Sequence, residues 1–313
     1  MPAPITPFST TATRPQRRRD RTRRSWRPPL SDATGKVSRG TCIRKAAGCA
    51  VVCVSIRDAM EGYPVCARNT APDSENRIHD DVTAAAYGFR GGLVPGITVY
   101  GYLTVPVVQR FGRDWLERGG MRVRFLQPVY EGEEVAVEWA GEGVAVRRQD
   151  GTVCAEGEVY WPQTPPPSLA EYPELPLPAE RPPASPASLA PGRILGGART
   201  KLSLPDDAFL TLQDEALPLY REGILHPAAL LSLSNQVLIQ NVKLGPWIHV
   251  SSELRNFSLA SDGDDLAARG RVAECFERKG HRLVVLEIAV VAGAARLVQH
   301  VRHTAIYEPR KNR

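Results

Sequence analysis

Asn76-Arg77-Ile78-His79-Asp80-Asp81 begins a segment that runs through Ala85 to Gly88-Phe89-Arg90-Gly91-Gly92-Leu93-Val94-Pro95-Gly96. A polar turn with Asn and His three apart leads into a short helical stretch over 80–87 and then a glycine-rich loop. Residues 97–111 follow, with no charge before Arg110. A helix apolar on every side is buried nearly all round. Asn76 suits the cap of the helical turn that follows it. Gly91 and Gly92 suit a tight turn or a close approach of backbone to a ligand. Pro95 suits the first turn of the buried helix.

Upstream, residues 63–70 read as a strand. Downstream, strand-like segments at 121–125, 134–139, 143–148 and 153–161 are separated by turn signals at Gly132, Gly141 and Asp150-Gly151. One apolar helix followed by an antiparallel meander is an α+β order. Prolines crowd residues 162–191 and argue against regular structure there. The order then repeats: His226-Pro227 opens a second apolar helix over 228–240, and strands are expected at 248–257, 265–277, 282–292 and 295–307. A period of roughly 130 residues suggests a duplicated domain rather than a solenoid. The expected organisation is a basic arm over 1–59, one domain over 60–161, a linker over 162–192 and a second domain over 193–313. Two such sheets joined edge to edge would bury both helices and remove an exposed edge from each.

The formal charge of +6 is unevenly spread, with 13 Lys and Arg in residues 1–59 against Asp20, Asp32 and Asp58. From Met60 onward acids outnumber bases, 31 to 27. A nucleic-acid partner would therefore rest on the arm alone, and none is expected. The run from Gln16 to Arg24 has too little apolar content to bury a face, so the arm is expected to be disordered. Its Arg, Ser and Thr content also suits a transit peptide, and Met60 suits an alternative start. Cys42, Cys49, Cys53, Cys66, Cys154 and Cys275 show no paired spacing that completes a zinc site. They read as reduced thiols of a cytoplasmic protein. No window approaches the ~18 apolar residues of a membrane span. Neither metal, cofactor nor membrane partner is expected.

The 76–96 segment resembles the MaoC-like (R)-specific enoyl-thioester hydratases. That family carries Gly-Asp-x-Asn-Pro-Ile/Leu-His, an Ala or Ser six residues after the His, and a Gly-Phe-rich loop ending in His-Gly at the start of the central helix. Phe125, Pro128 and Gly132 match its downstream Phe-x-x-Pro-Val-x-x-Gly-Asp strand. The likeness covers 61–161 by motif and the remainder by architecture. It implies a double hot-dog fold: two curved antiparallel sheets, each wrapped on a central helix.

The resemblance also implies a chemistry, the addition of water across a trans-2-enoyl thioester or its reverse, and a partner, an acyl-CoA or acyl-carrier-protein thioester of fatty acid metabolism. His79 matches the family His, Asn76 the Asn that orients it, and Gly96 the Gly whose amide stabilises the enolate oxygen. Gly91, Gly92 and Leu93 fall in the pocket loop. The family Asp, five residues before the His, is replaced by Ser74. Asp73 and Glu75 flank it, and a one-residue shift of the turn would let Asp73 substitute. Arg77 and Pro95 replace the family Pro and His. Two alternatives stay open: a thioesterase in which Asp73 or Glu75 activates water, and a non-catalytic acyl-CoA-binding protein, suggested by Ser74.

In the second half, His226 heads the helix, Asn235 and Gln240 lie within it, and His249 follows Trp247-Ile248. His226 with Glu222 would make a second acid–base pair. The half lacks an Asn-x-x-His turn, so it is expected to be structural and to shape an acyl tunnel. His300 and His303, three apart on a strand, face opposite sides and do not share a metal. Two hot-dogs in one chain mimic a dimer, which leaves both a monomer and a homodimer of chains open.

Overall fold

The computed structural model describes residues 62–197, 199–202, 209, 214 and 217–310. The basic arm, with Cys42, Cys49 and Cys53, lies outside the described residues. The first half comprises β1 (Tyr63–Cys66), a 3-10 turn (Arg77–His79), α1 (Asp81–Ala86), α2 (Gly96–Arg118), β2 (Gly120–Phe125), β3 (Glu134–Ala140), β4 (Gly143–Arg148) and β5 (Val153–Tyr160). The second comprises β6 (Ile194–Leu195), β7 (Arg199–Lys201), α3 (Pro218–Arg221), α4 (Pro227–Asn241), β8 (Ile248–Asn256), β9 (Asp265–Arg278), β10 (His281–Ala292) and β11 (Arg296–Glu308).

The strands form one sheet in the order β1-β3-β4-β5-β2-β8-β11-β10-β9-β6, with β7 also on β9. The two halves meet at the antiparallel pair β2–β8, where Met121 faces Leu254 and Val123 faces Ser252. Joining there gives each half's sheet a neighbour at what would otherwise be an open edge. Arg122 spans the join, bonding Glu158 at 2.9 Å and Glu253 at 3.2 Å. The chain has the α+β double hot-dog architecture, with α2 and α4 packed on each other inside one continuous core.

Local chemistry explains where the elements depart from the sequence reading. β1 ends at Cys66, short of 70: the Ala67 amide still bonds the Glu133 carbonyl at 2.9 Å, but the two after it bond side chains, Arg68 N–H the Tyr102 hydroxyl and Asn69 N–H Glu131. The first helix runs past 111 to Arg118, broken at Gly112, whose φ of 58° and ψ of −141° a side chain would strain. The extra turn buries Trp115 and Leu116. The proline-rich stretch forms no strand, but it makes a 3-10 turn at Leu169–Glu171 and an isolated parallel bridge from Pro183 to Lys243, and it packs. Tyr172 is buried against Ala289 and Val291 of β10. Among the described residues, Cys66, Cys154 and Cys275 stand outside any disulfide. Among the described residues no helix is long and apolar enough to cross a membrane.

Candidate active site

The turn before α1 is fixed by its own polar groups. The Asn76 side chain accepts from Ile78 N–H at 3.4 Å, and Asp80 caps α1 by accepting from Thr83 N–H at 2.9 Å. Asn69 donates to the His79 carbonyl at 2.8 Å. The glycine-rich loop lies directly on this turn. Leu93 N–H donates to the Ile78 carbonyl at 3.2 Å, and a Cβ on Gly92 would stand 2.1 Å from the His79 carbonyl oxygen. Only glycine permits that approach. Gly91 and Gly92 thus serve the His79 turn, and neither lines a cavity at the site.

The loop gives His79 its orientation. Nδ1 lies 2.7 Å from the Leu93 carbonyl, an atom that only accepts, so Nδ1 carries the proton. Nε2 is then the basic atom, and Asn76 Nδ2 approaches it at 3.2 Å. Burial pushes the His79 pKa below its ordinary value, and the Leu93 bond opposes this only in part. The ring is a neutral base near pH 7.

Asn76 also ties this turn to the second half. Its Oδ1 accepts from Trp247 N–H at 3.1 Å and its Nδ2 donates to the Trp247 carbonyl at 3.0 Å. Both backbone groups of Trp247 are thereby satisfied by one buried carboxamide.

Two cavities meet at these residues. The first, about 390 Å³, is lined by Ser74, Glu75, Arg181, Ser232 and Asn235 among others. The second, about 220 Å³, is largely apolar, with Phe89, Leu93, Val94, Phe125 and Ile306 in its wall, and includes Gly96 and His249. Asn76, His79, Pro95, Asn235 and Trp247 line both. The first amides of α2, at Gly96 and Ile97, have no intrahelical acceptor and present the positive end of the helix dipole there.

The expected acid is elsewhere. Asp73 is exposed and lines neither cavity, so the shifted-turn substitution for the family Asp is not what the turn adopts. Ser74 faces the first cavity instead, its hydroxyl donating to the Asn76 carbonyl at 3.2 Å. Glu75 lines that cavity but is held by Arg181 at 2.9 and 3.0 Å, which keeps its carboxyl below the usual range. Among the described residues it is the one carboxylate lining either cavity.

In the second half, the acid beside His226 is Asp214, at 3.5 Å, and not the exposed Glu222. His226 caps α4 by accepting from Ala228 N–H at 3.1 Å and is sandwiched near Phe209 and Tyr220. It lines neither cavity. Gln240 points elsewhere, whereas Asn235 faces His79's cavities. His300 bonds the Tyr172 hydroxyl at 2.8 Å while His303 is buried on the other face. Sequence reasoning missed Arg181, Ser232 and the Trp247 backbone. The first sits in a stretch read as structureless, the second on an apolar helix, and the third carries no side-chain signal.

No family model matches the chain and no curated protein matches it in sequence. Solved structures match it in fold. A Chloroflexus aurantiacus protein described as a MaoC domain protein dehydratase has a TM-score of 0.54 and 12% identity over 80% of this chain and 94% of its own. A MaoC-like dehydratase has a TM-score of 0.53 and 12% identity over 80% of this chain and 97% of its own. A conserved hypothetical protein from Mycobacterium tuberculosis, described as having a double hotdog fold, has a TM-score of 0.50 and 14% identity over 80% and 97%. The chain shares their double hot-dog fold.

Proposed function

We propose that this chain acts on enoyl- or 3-hydroxyacyl thioesters of CoA or an acyl carrier protein as a hydratase/dehydratase, with His79 as its general base. The observation that carries the reading is the His79 ring. Its Nδ1 proton is committed to Leu93, which leaves a neutral, basic Nε2 on a residue that lines both cavities beside the start of α2.

The placement of the carboxylates narrows the chemistry. Among the described residues, Asp73 faces solvent and Glu75 is tied to Arg181, so no carboxylate there pairs with His79. A single base suffices for a syn elimination. Nε2 gives up the hydrogen bond it accepts from Asn76 and takes the C2 proton of a 3-hydroxyacyl thioester, and the electron pair moves to the carbonyl oxygen, stabilised by the amides at the start of α2. As the enolate collapses, the C3–O bond breaks. The imidazolium returns the same proton to the departing hydroxyl, which leaves as water. Ser232 and Asn235 supply hydrogen-bonding groups across the first cavity for that hydroxyl. The reverse sequence hydrates the enoyl thioester.

The same carboxylate positions count against a thioesterase that relies on Asp73 or Glu75. Purified protein given crotonyl-CoA is expected to remove the enoyl absorbance without releasing free thiol. His79→Ala is expected to lower kcat by roughly 10²–10⁴-fold, and His226→Ala to leave it within a few-fold. Thiol release would identify a thioesterase. Binding with neither signal, or full activity in His79→Ala, would sink the hydratase reading.

A further inference from the structure

Three buried polar side chains take no part in the chemistry above. His249 Nε2 lies 2.8 Å from Ser252 Oγ, and that hydroxyl lies 3.1 Å from His303 Nδ1. The three residues are 7%, 3% and 0% exposed. Alternation along a strand would send positions 249 and 252 to opposite faces. The register of β8 on β11 steps from Ser251–Thr304 to His249–Ala305, so Val250 is an extra residue. This bulge turns both side chains inward.

His249 belongs to the site. It lines the second cavity with Asn76, His79 and Gly96, two residues after the Trp247 backbone that Asn76 clamps. Its ring meets Phe125 edge-on at 4.7 Å between centroids. A Cβ on Gly96 would stand 2.9 Å from His249 Nδ1, so this nitrogen lies against the first residue of α2. Nδ1 has no hydrogen-bond partner among the described residues, and neither has His303 Nε2 at the other end of the chain of bonds.

We infer that His249 donates a hydrogen bond from Nδ1 to the thioester oxygen of the substrate, beside the Gly96 amide, and that Ser252 and His303 set its tautomer. This rests on the acyl-thioester reading of the site. The protons can be counted. One hydroxyl between two neutral imidazoles accepts from one and donates to the other. If His303 Nδ1–H donates to Ser252 and Ser252 donates to His249 Nε2, the His249 proton sits on Nδ1, at the Gly96 edge of the cavity. Reversing both bonds moves the free N–H to His303 Nε2. An acceptor oxygen at the cavity end selects the first arrangement without any net gain or loss of protons. The ring stays uncharged because burial, and then His303, push its pKa well down, against a smaller effect of the Ser251 backbone. No carboxylate lines its cavity among the described residues. A neutral imidazole beside a helix N-terminus is a hydrogen-bond donor to developing negative charge, rather than an acid.

The test uses the full chain and butyryl-CoA with a heavy-carbon label at the carbonyl, a thioester that cannot be hydrated. Infrared difference spectroscopy reads the carbonyl stretch of the bound form. Wild type is expected to lower the stretch relative to free butyryl-CoA. His249→Phe and Ser252→Ala are expected to restore part of it, and Ser252→Thr, which keeps the hydroxyl, to retain the lowering. With crotonyl-CoA, His249→Phe is expected to lower kcat on the order of 10²-fold with little change in KM, and Ser252→Ala to lower it less. A stretch and kcat unchanged in both variants, in a protein that hydrates crotonyl-CoA, would overturn the inference and leave the hydratase reading standing. A lowering lost in the variants, without hydration by wild type, would support the inference and remove the hydratase reading. Failure to bind butyryl-CoA would remove both. Should His249→Phe fail to fold, the Ser252 pair decides alone.

Discussion

At the residue scale, Asn76 links the fold to the chemistry. Its carboxamide satisfies both backbone groups of buried Trp247 and touches His79 Nε2. Asn76→Ala would leave Trp247 N–H and C=O without partners, at a cost of about 1–3 kcal/mol for each group. Asn76→Asp would keep the acceptor but set a carboxylate oxygen against the Trp247 carbonyl. Both variants should lower Tm, and Asn76→Asp should raise the His79 pKa by placing a charge beside it. That second effect can be read separately. Because burial holds the wild-type His79 pKa below 6.5, the acid limb of kcat/KM should lie below that value. In Asn76→Asp the limb should move upward. A limb at the same pH in both proteins would show that His79 is not the group titrating.

At the element scale, α2 shows what a local pattern can and cannot carry. Its uncharged run made the buried helix legible, and the Asn-x-x-His turn with its glycine-rich loop made the site's first half legible, because all of these act over a few residues. The break at Gly112 was not legible, since nothing nearby in sequence demands it. Its φ is 58° and its ψ −141°, and a Cβ placed there would meet nothing within 4 Å. Gly112→Ala should therefore be destabilising through backbone strain alone, on the order of 1–3 kcal/mol. Denaturant unfolding should show that loss with crotonyl-CoA turnover unchanged. A neutral result would mean the helix straightens at no cost. The bulge in β8 escaped the sequence for a related reason. Spacing of three separates His300 from His303 as expected, yet the same spacing brings His249 and Ser252 together, because register is set by the partner strand. Arg181 and Trp247 reach the turn at 75–79 from 106 and 171 residues away, beyond any local signal.

At the scale of the whole molecule, buried histidines that must stay uncharged lie beside the join that the β2–β8 pairing and the Arg122 ion pairs span. His79 and His249 line the site that both halves build, and His303 meets Ser252 on β8, the strand that pairs with β2. Burial lowers all three pKa values from 6.5, that of His303 to about 3. His300, on the outer face, falls to about 4 through burial and then Arg255. In the unfolded chain each would titrate near 6.5. Below that pH the unfolded state therefore binds more protons than the native one, and stability falls as pH falls, each histidine contributing a slope of up to about 1.4 kcal/mol per pH unit. The loss from His303 continues until pH nears its folded value of about 3. The lowered carboxyls of Glu75, Asp264 and Glu287 act in the same direction, but only once pH drops below the ordinary carboxyl values of 4.5 and 3.8. Tm should thus be level from pH 8 to 7 and decline between pH 6.5 and 5, before the carboxylates titrate. Hydrogen exchange over the same range should lose protection first in residues 120–124 and 251–255, the paired segments of the join. A Tm that holds to pH 5, or protection lost first in β9 and β10, would show that the buried histidines do not govern how the two halves stay together.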